Sequence, residues 1–466
     1  MALVREQLAL AAEYKTNGRA ELRDAAAAQN KALPVHRWVP WIAGFSAQFV
    51  EDAIEAYLPK TGRGRHLVLD PFLGVGTTMV EALKAGCNTM GCEINPFAVL
   101  AARAKADCVD LSLKGFGERV DTFRCALERF ESGIDRKWGA GGDQAVAAVL
   151  ETLDAARPPG FRSRIPFFSP PVEAKFLYAL GWAAPLPEPD RTLFRAALGA
   201  TMISYSNYSY EPSLSSRPGA GKPMIENASV VLLVCRKLDE MLEDIEWAQA
   251  RFGTVWRPRR RVAVHASYFS SNVPARSVSL LITSPPYMNN YHYVRNTRPQ
   301  VHWLGLIEGA DDLRRCEQES FGKFWQTVRQ APQIDLDFCF PDLAEKIRHL
   351  RGLNVGRGPY GGPGWANYVT TYFNDSDRFL GLVRRQLRPG GRAVVVIGNS
   401  IVQGVEFKVD HLLAEMAERH RLEVEGIQIV RKKRVGNSII DSSVRNGHHQ
   451  GKHKTQLYDA ALILRA

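Results

Sequence analysis

The chain has 466 residues, 45% of them apolar and 23% charged, which is the balance of a globular protein able to bury a sizeable core. Its seven cysteines include no C-x-x-C pair, which argues against a disulfide framework or a zinc ribbon and for buried, reduced thiols. A formal net charge of +11 points to a polyanionic partner, most simply nucleic acid.

In chain order, residues 1–39 read as a polar amphipathic helical segment without the apolar centre of a signal peptide. The longest apolar run, "ASVVLLVC", is too short to span a bilayer, so a cytoplasmic protein is expected. Residues 40–109 form the first half of the main domain, and within them 66–100 alternate as strand, glycine turn, helix and strand, a β-α-β unit. From 110 to 255 the pattern turns helical, with segments such as "FGERVDTFRCALERF" and "SVVLLVCRKLDEMLEDIEWAQARF" joined by Pro-rich links. Strand patterns return over 256–466 with "RVAVHAS", "SVSLLIT", "GRAVVVIGNS", "RLEVEGIQIVRKKRV" and "YDAALILRA". The expected fold is α/β, a doubly wound, mostly parallel sheet with a large helical insertion at 110–255 and a mobile, glycine-rich loop insertion at 289–370.

"LVLDPFLGVGTTMVEA" places Asp70 at a strand end and Gly74 and Gly76 in the turn, with Thr77 and Thr78 opening a helix. Two close glycines let backbone approach a ligand seated on the helix N-terminus. A dinucleotide fingerprint needs a third small residue where Met79 stands, and no Gly-Lys-Ser/Thr follows as in a P-loop. Glu93 in "GCEINP" ends the second strand, where a carboxylate can accept both hydroxyls of a ribose. A ribose without a pyrophosphate fits S-adenosylmethionine.

Further on, "LLITSPPYMNNYHYVR" stops an apolar strand at two prolines that donate no backbone hydrogen bond. Asp70-Pro71-Phe72-Leu-Gly74-Val-Gly76-Thr77-Thr78 and Thr283-Ser284-Pro285-Pro286-Tyr287 together resemble the amino-group DNA methyltransferases, which methylate N4 of cytosine or N6 of adenine. The resemblance spans roughly residues 40–110 and 256–466. It implies S-adenosylmethionine held by the glycine-turn residues, by Glu93 and Asn95, by Phe45 near the methionine end, and by Ser267 where the family commonly has Asp. It also implies Ser284 Oγ and the Pro285 carbonyl as acceptors for the target amine, on a segment stiffened by Pro285 and Pro286. Tyr287 is then the stacking face for a flipped-out base. Cytosine C5 chemistry needs a thiolate, typically after proline, and no Pro-Cys dipeptide exists. Serine at 284 looks like the cytosine-N4 branch; adenine-N6 stays open, since hydroxyl and carboxylate both accept from an amine.

Double-stranded DNA is the expected partner, with or without a cognate restriction endonuclease, for a monomer or a homodimer. Tyr291, Tyr293 and Arg295 are candidate walls of the base pocket, or packed helix residues. Arg217 and Lys222 lie in an evident loop, and Arg431, Lys432, Lys433 and Arg434 form a basic cluster, as do Arg257, Arg259, Arg260 and Arg261. Such clusters either neutralise phosphates or form a solvated face. His448, His449 and His453 lack zinc spacing, and no metal is expected. The competing readings are an RNA guanine-N2 methyltransferase and a catalytically inactive nucleic-acid-binding subunit.

Overall fold

The computed structural model describes residues 21–41, 44, 46–153, 157–158, 163–210, 214–289, 293–432, 439–440 and 457–466. Twelve strands are described: β1 (Leu67–Asp70), β2 (Asn88–Glu93), β3 (Tyr208–Tyr210), β4 (Leu214–Ser216), β5 (Arg261–His265), β6 (Val278–Thr283), β7 (Leu387–Gly398), β8 (Ser400–Val402), β9 (Val405–Phe407), β10 (Glu423–Lys432), β11 (Ile439–Ile440) and β12 (Tyr458–Arg465). Seven of them form one sheet in the order β10-β12-β7-β6-β1-β2-β5. β5, β2, β1, β6 and β7 run parallel, whereas β12 is antiparallel to both β7 and β10. The order reverses between β1 and β6, the switch point at which open α/β sheets bind ligands beyond their carboxyl ends.

Alternate residues along each central strand enter opposite cores, as a period of two requires. Val68, Leu280, Ile282, Val394 and Val396 pack beneath the Ala47–Tyr57 helix. Leu69, Leu281, Val395 and Ile397 pack with Val369, Phe373 and Leu380 of the Gly362–Gln386 helix and Leu413 of the Val409–Arg419 helix. The 110–255 insertion is helical as expected, in Leu113–Thr152, Pro170–Ala183, Asp190–Thr201 and Val230–Trp256. Its core is continuous with the Thr77–Lys84 and Pro96–Asp107 helices, so it extends the main domain. The loop expected within it at 204–223 instead contains the β3–β4 hairpin.

Two expectations change. Of the helical segment expected at 1–39, residues 1–20 lie outside the described residues, and residues 21–39 hold two short 3-10 turns, Ala27–Ala32 and His36–Trp38, drawn into the core, and no α-helix. Buried Asp244 accepts from Val35 N (2.8 Å), Trp38 Nε1 (2.8 Å) and Arg37 Nη2 (2.8 Å), which stitches this segment to the Val230–Trp256 helix. The second insertion, expected as a mobile loop, carries the helices Ala310–Glu319 and Pro341–Arg351 and leads into Gly362–Gln386. Three of its glycines serve close packing: an added Cβ would strike the Asn354 carbonyl at Gly361, that of Leu350 at Gly362 and that of Pro359 at Gly364. Glycine allows close approach as well as chain freedom, and composition alone does not separate the two.

Candidate active site

Three strand ends converge at the switch point. β1 ends at Asp70 and passes into the glycine turn, where Gly74 (φ +51°) and Gly76 (φ +86°) take left-handed conformations open to glycine. An added Cβ at Gly74 would sit 3.2 Å from Trp41 Nε1, and one at Gly76 would lie 3.1 Å from Ala102 Cα. β2 ends at Glu93, which grips the turn: Oε2 accepts from Gly74 N (2.8 Å) and Oε1 from Asn95 N (2.8 Å). Burial pushes the Glu93 carboxyl up to about 7 against these hydrogen bonds, which act to lower it.

Asp70 is fully buried and faces away from the cleft, behind the turn. Its carboxylate accepts from Thr78 Oγ1 (2.6 Å), Thr283 Oγ1 (2.7 Å) and Phe72 N (3.1 Å). Thr283 directly precedes Ser284, so one buried side chain ties the glycine-turn helix to the end of β6. Burial raises its carboxyl to about 6. Thr77 and Thr78 are buried in the helix start and, like Gly76, stand behind the cleft wall.

Pro71, Phe72, Gly74, Glu93, Asn95, Ser267, Ser284, Pro286 and Tyr287 line one cleft, partly open to solvent. Pro285 is buried beneath it. Ser400 Oγ donates to Met288 O (2.6 Å) and pins the segment from the β7 side. Asn95 approaches the cleft through its backbone; its side chain caps the Pro96–Asp107 helix and donates to Thr297 Oγ1 (2.7 Å). Ser267 follows β5 and donates to the Glu319 carbonyl (3.2 Å).

Several wall residues were not singled out in the sequence. Trp41 covers Gly74, and Tyr368 and Tyr372 come from the Gly362–Gln386 helix. The second insertion adds Glu317, Glu319, Phe321, Lys323 and Phe324. Cys316 Sγ donates to Ile94 O (3.4 Å), and Phe321 meets Phe72 edge-on at 5.3 Å, so this segment roofs the cleft. Cys92 also lines the cleft, but burial pushes its thiol up to about 11, far from a thiolate.

Of the expected DNA contacts, Arg295, Lys222, Arg431 and Lys432 are exposed and Arg217 is half-buried. Arg431 and Lys432 end the edge strand β10, three strands from β6. Arg261, which opens the edge strand β5, is committed to Asp107 (2.8 Å) and Asp110, and Arg257 donates to Val109 O (2.7 Å). Tyr293 opens a short helix. Phe45, Tyr291, Lys433, Arg434, His448, His449 and His453 lie outside the described residues. Among the described residues, no cluster of His, Cys, Asp or Glu could hold a metal, and no helix is long and apolar enough to cross a membrane.

A switch-point cleft bounded by a glycine turn, an acidic strand tip and a Ser-Pro-Pro-Tyr strand end defines an α/β fold of the S-adenosylmethionine-dependent methyltransferase type. Residues 26–104, containing the first two of these features, match the DNA methylase family profile. The chain is 24% identical over 438 residues to the Type II methyltransferase M.BsoBI of Geobacillus stearothermophilus, covering 88% of this chain and 82% of that protein. It is 21% identical over 422 residues to the Type II methyltransferase M.AvaI of Nostoc sp., covering 86% and 82%. A shorter match, 31% over 67 residues, joins it to the Type II methyltransferase M.MjaII of Methanocaldococcus jannaschii, covering 14% of this chain and 13% of that protein. These matches support the likeness to the amino-group DNA methyltransferase family.

The cleft suits the donor of that family. Gly74 leaves backbone bare beneath Trp41, and Glu93 keeps lone pairs for ribose hydroxyls beyond the two that hold backbone N–H groups. Phe72, Tyr268, Phe269 and Phe321 offer an apolar wall for a purine.

Proposed function

We propose that the protein is a site-specific DNA methyltransferase that modifies the exocyclic N4 amine of a flipped-out cytosine, with S-adenosylmethionine supplying an electrophilic methyl group. The observation that carries this function is Ser284, Pro286 and Tyr287 lining the same cleft as Gly74 and Glu93, at the ends of the neighbouring strands β6, β1 and β2. An exocyclic ring amine is a poor nucleophile because its lone pair is conjugated with the ring. Ser284 Oγ and the Pro285 carbonyl accept its N–H groups and turn the lone pair toward the methyl group. Held in place by two prolines, by Thr283 on Asp70 and by Ser400 on Met288 O, these acceptors need little reorganisation. Transfer is a direct displacement: the N–C bond forms as the S–C bond breaks, and one amine proton leaves to solvent. Tyr287 offers its ring to the extruded base. Cytosine is taken as the target because a serine at 284 resembles the cytosine-N4 branch of the family.

Double-stranded DNA is the substrate in this reading, with or without a cognate restriction endonuclease, as the likeness to Type II methyltransferases supports. The test of the site is Ser284→Ala. The folded variant should bind cofactor as before and lose about 10²–10³-fold in turnover, the cost of removing one preorganised polar contact. Unchanged turnover in a folded variant would overturn the assignment.

A further inference from the structure

The β3–β4 hairpin stands outside the main sheet, with Tyr208 opposite Ser216 and Tyr210 opposite Leu214. Its base is rigidly fixed. Buried Asn207 donates to the Pro166 carbonyl (3.1 Å), accepts from Ile225 N (2.8 Å) and receives Arg217 N on its backbone oxygen (2.8 Å). Tyr208 stacks on Phe167 with centroids 5.5 Å apart. The other end of the ribbon is held by Asn296, twelve residues beyond Ser284. Tyr210 Oη donates to Asn296 O (2.9 Å), Leu214 N donates to Asn296 Oδ1 (3.2 Å), and Gln300 Nε2 donates to Tyr210 Oη (3.2 Å).

From Asn296 the connection continues to the cofactor wall. The next residue, Thr297, accepts from Asn95 Nδ2, and Asn95 N donates to Glu93. A ribbon that belongs to the insertion is thus hydrogen-bonded into the rim of the catalytic cleft. Four basic residues flank it, Arg217 and Lys222 in 214–225 and Arg295 and Arg298 in 293–303; the carboxylates nearest to 214–225 in the sequence are Glu211 and Glu226. Lys222, Arg295 and Arg298 are exposed. A two-stranded ribbon has the width that the major groove of B-DNA admits.

Resting on the function proposed above, we propose that this hairpin is the element that engages the DNA duplex beside the extruded base. Arg217, Lys222, Arg295 and Arg298 meet phosphates. Asn296 is a positioning residue that sets the ribbon relative to Ser284, and so fixes which base of a bound sequence reaches the cleft.

The experiment uses the full chain, with duplex binding measured at several salt concentrations and methylated positions mapped across genomic DNA. Arg217→Ala with Lys222→Ala should lower the slope of log affinity against log salt by about 2, one phosphate each. Affinity for the cofactor product, S-adenosylhomocysteine, should stay unchanged. Asn296→Ala should keep duplex affinity within about threefold while the ratio of methylation at the preferred sequence to that at other sequences falls about tenfold or more, the order of one lost base discrimination. Asn296→Asp, which preserves Oδ1 as the acceptor for Leu214 N, should recover most of that ratio. An unchanged salt slope and an unchanged sequence preference, in a protein whose unsubstituted form methylates DNA, overturn the proposal alone. Failure of the unsubstituted protein to bind or methylate DNA overturns it together with the proposed function.

Discussion

Replacing Asp70 with alanine removes the acceptor shared by Thr78, Thr283 and Phe72 N, at 2.6, 2.7 and 3.1 Å. A buried donor left unsatisfied costs about 1–3 kcal/mol. The two threonine hydroxyls can rotate toward other acceptors, so the expected loss of stability is about 2–4 kcal/mol, below three full penalties. The catalytic effect should be larger than the effect on cofactor binding. Thr283 anchors the residue before Ser284, and a displacement of about 1 Å at the acceptor costs about 10²-fold in rate. The cofactor wall, by contrast, is held by Glu93 through Gly74 and Asn95. Asp70→Asn keeps an acceptor for Thr283 and Phe72 N and turns an amide donor toward Thr78 Oγ1, so it should retain most of the activity. The assay is single-turnover methyl transfer to DNA beside calorimetric binding of S-adenosylhomocysteine, with folding checked by chemical denaturation. A folded Asp70→Ala protein with weakened cofactor binding and an intact transfer rate would refute this reasoning and make Asp70 a cofactor ligand.

Burial raises the carboxyls of Glu93 to about 7 and Asp70 to about 6, above their unfolded values of 4.5 and 3.8. The folded state therefore holds these protons more tightly, and their stabilising contribution is present at low pH and lost as pH rises through 6 to 7. The stability difference between wild type and Glu93→Gln should shift against wild type between pH 5 and pH 8 in urea melts; a pH-independent difference contradicts the shift. Cofactor affinity should move the other way, weakening below about pH 7 as Glu93 loses its charge as a ribose acceptor, and calorimetry across pH 5.5–8 reads it directly. Asp244→Ala strands the buried Trp38 Nε1 and Val35 N and frees Arg37, for about 3–5 kcal/mol of lost stability by denaturant titration. Gly364→Ala drives a methyl group into the Pro359 carbonyl and should cost about 1–3 kcal/mol; a neutral result would show that the run is as loose as its composition implied.

The parts legible in the sequence were those written locally. The β1 turn, the acidic tip of β2 and the Ser-Pro-Pro-Tyr end of β6 each announce themselves within a few residues, and the two-residue alternation of β7 and β12 separates the two cores. Contacts between distant segments were not legible. Cys316 reaches Ile94 across 222 positions, and Tyr210 reaches Asn296 across 86, with no pattern in either segment naming the other. Asp70 reads as a strand-end ligand because its position suits one; only the threonine hydroxyls on both its oxygens reveal a tie between two motifs. The glycine-rich run at 352–364 misleads for a physical reason, since close backbone packing and chain freedom demand the same residue.

The central claim is amine methylation of a DNA base at Ser284. It is tested most directly by incubating the purified protein with unmethylated genomic DNA and isotopically labelled S-adenosylmethionine, then digesting to nucleosides and separating them by mass. Labelled N4-methylcytosine, lost in Ser284→Ala, is the predicted result. Labelled N6-methyladenine would keep the chemistry and contradict the choice of base, and no labelled nucleoside from a protein that binds S-adenosylhomocysteine would contradict the claim itself.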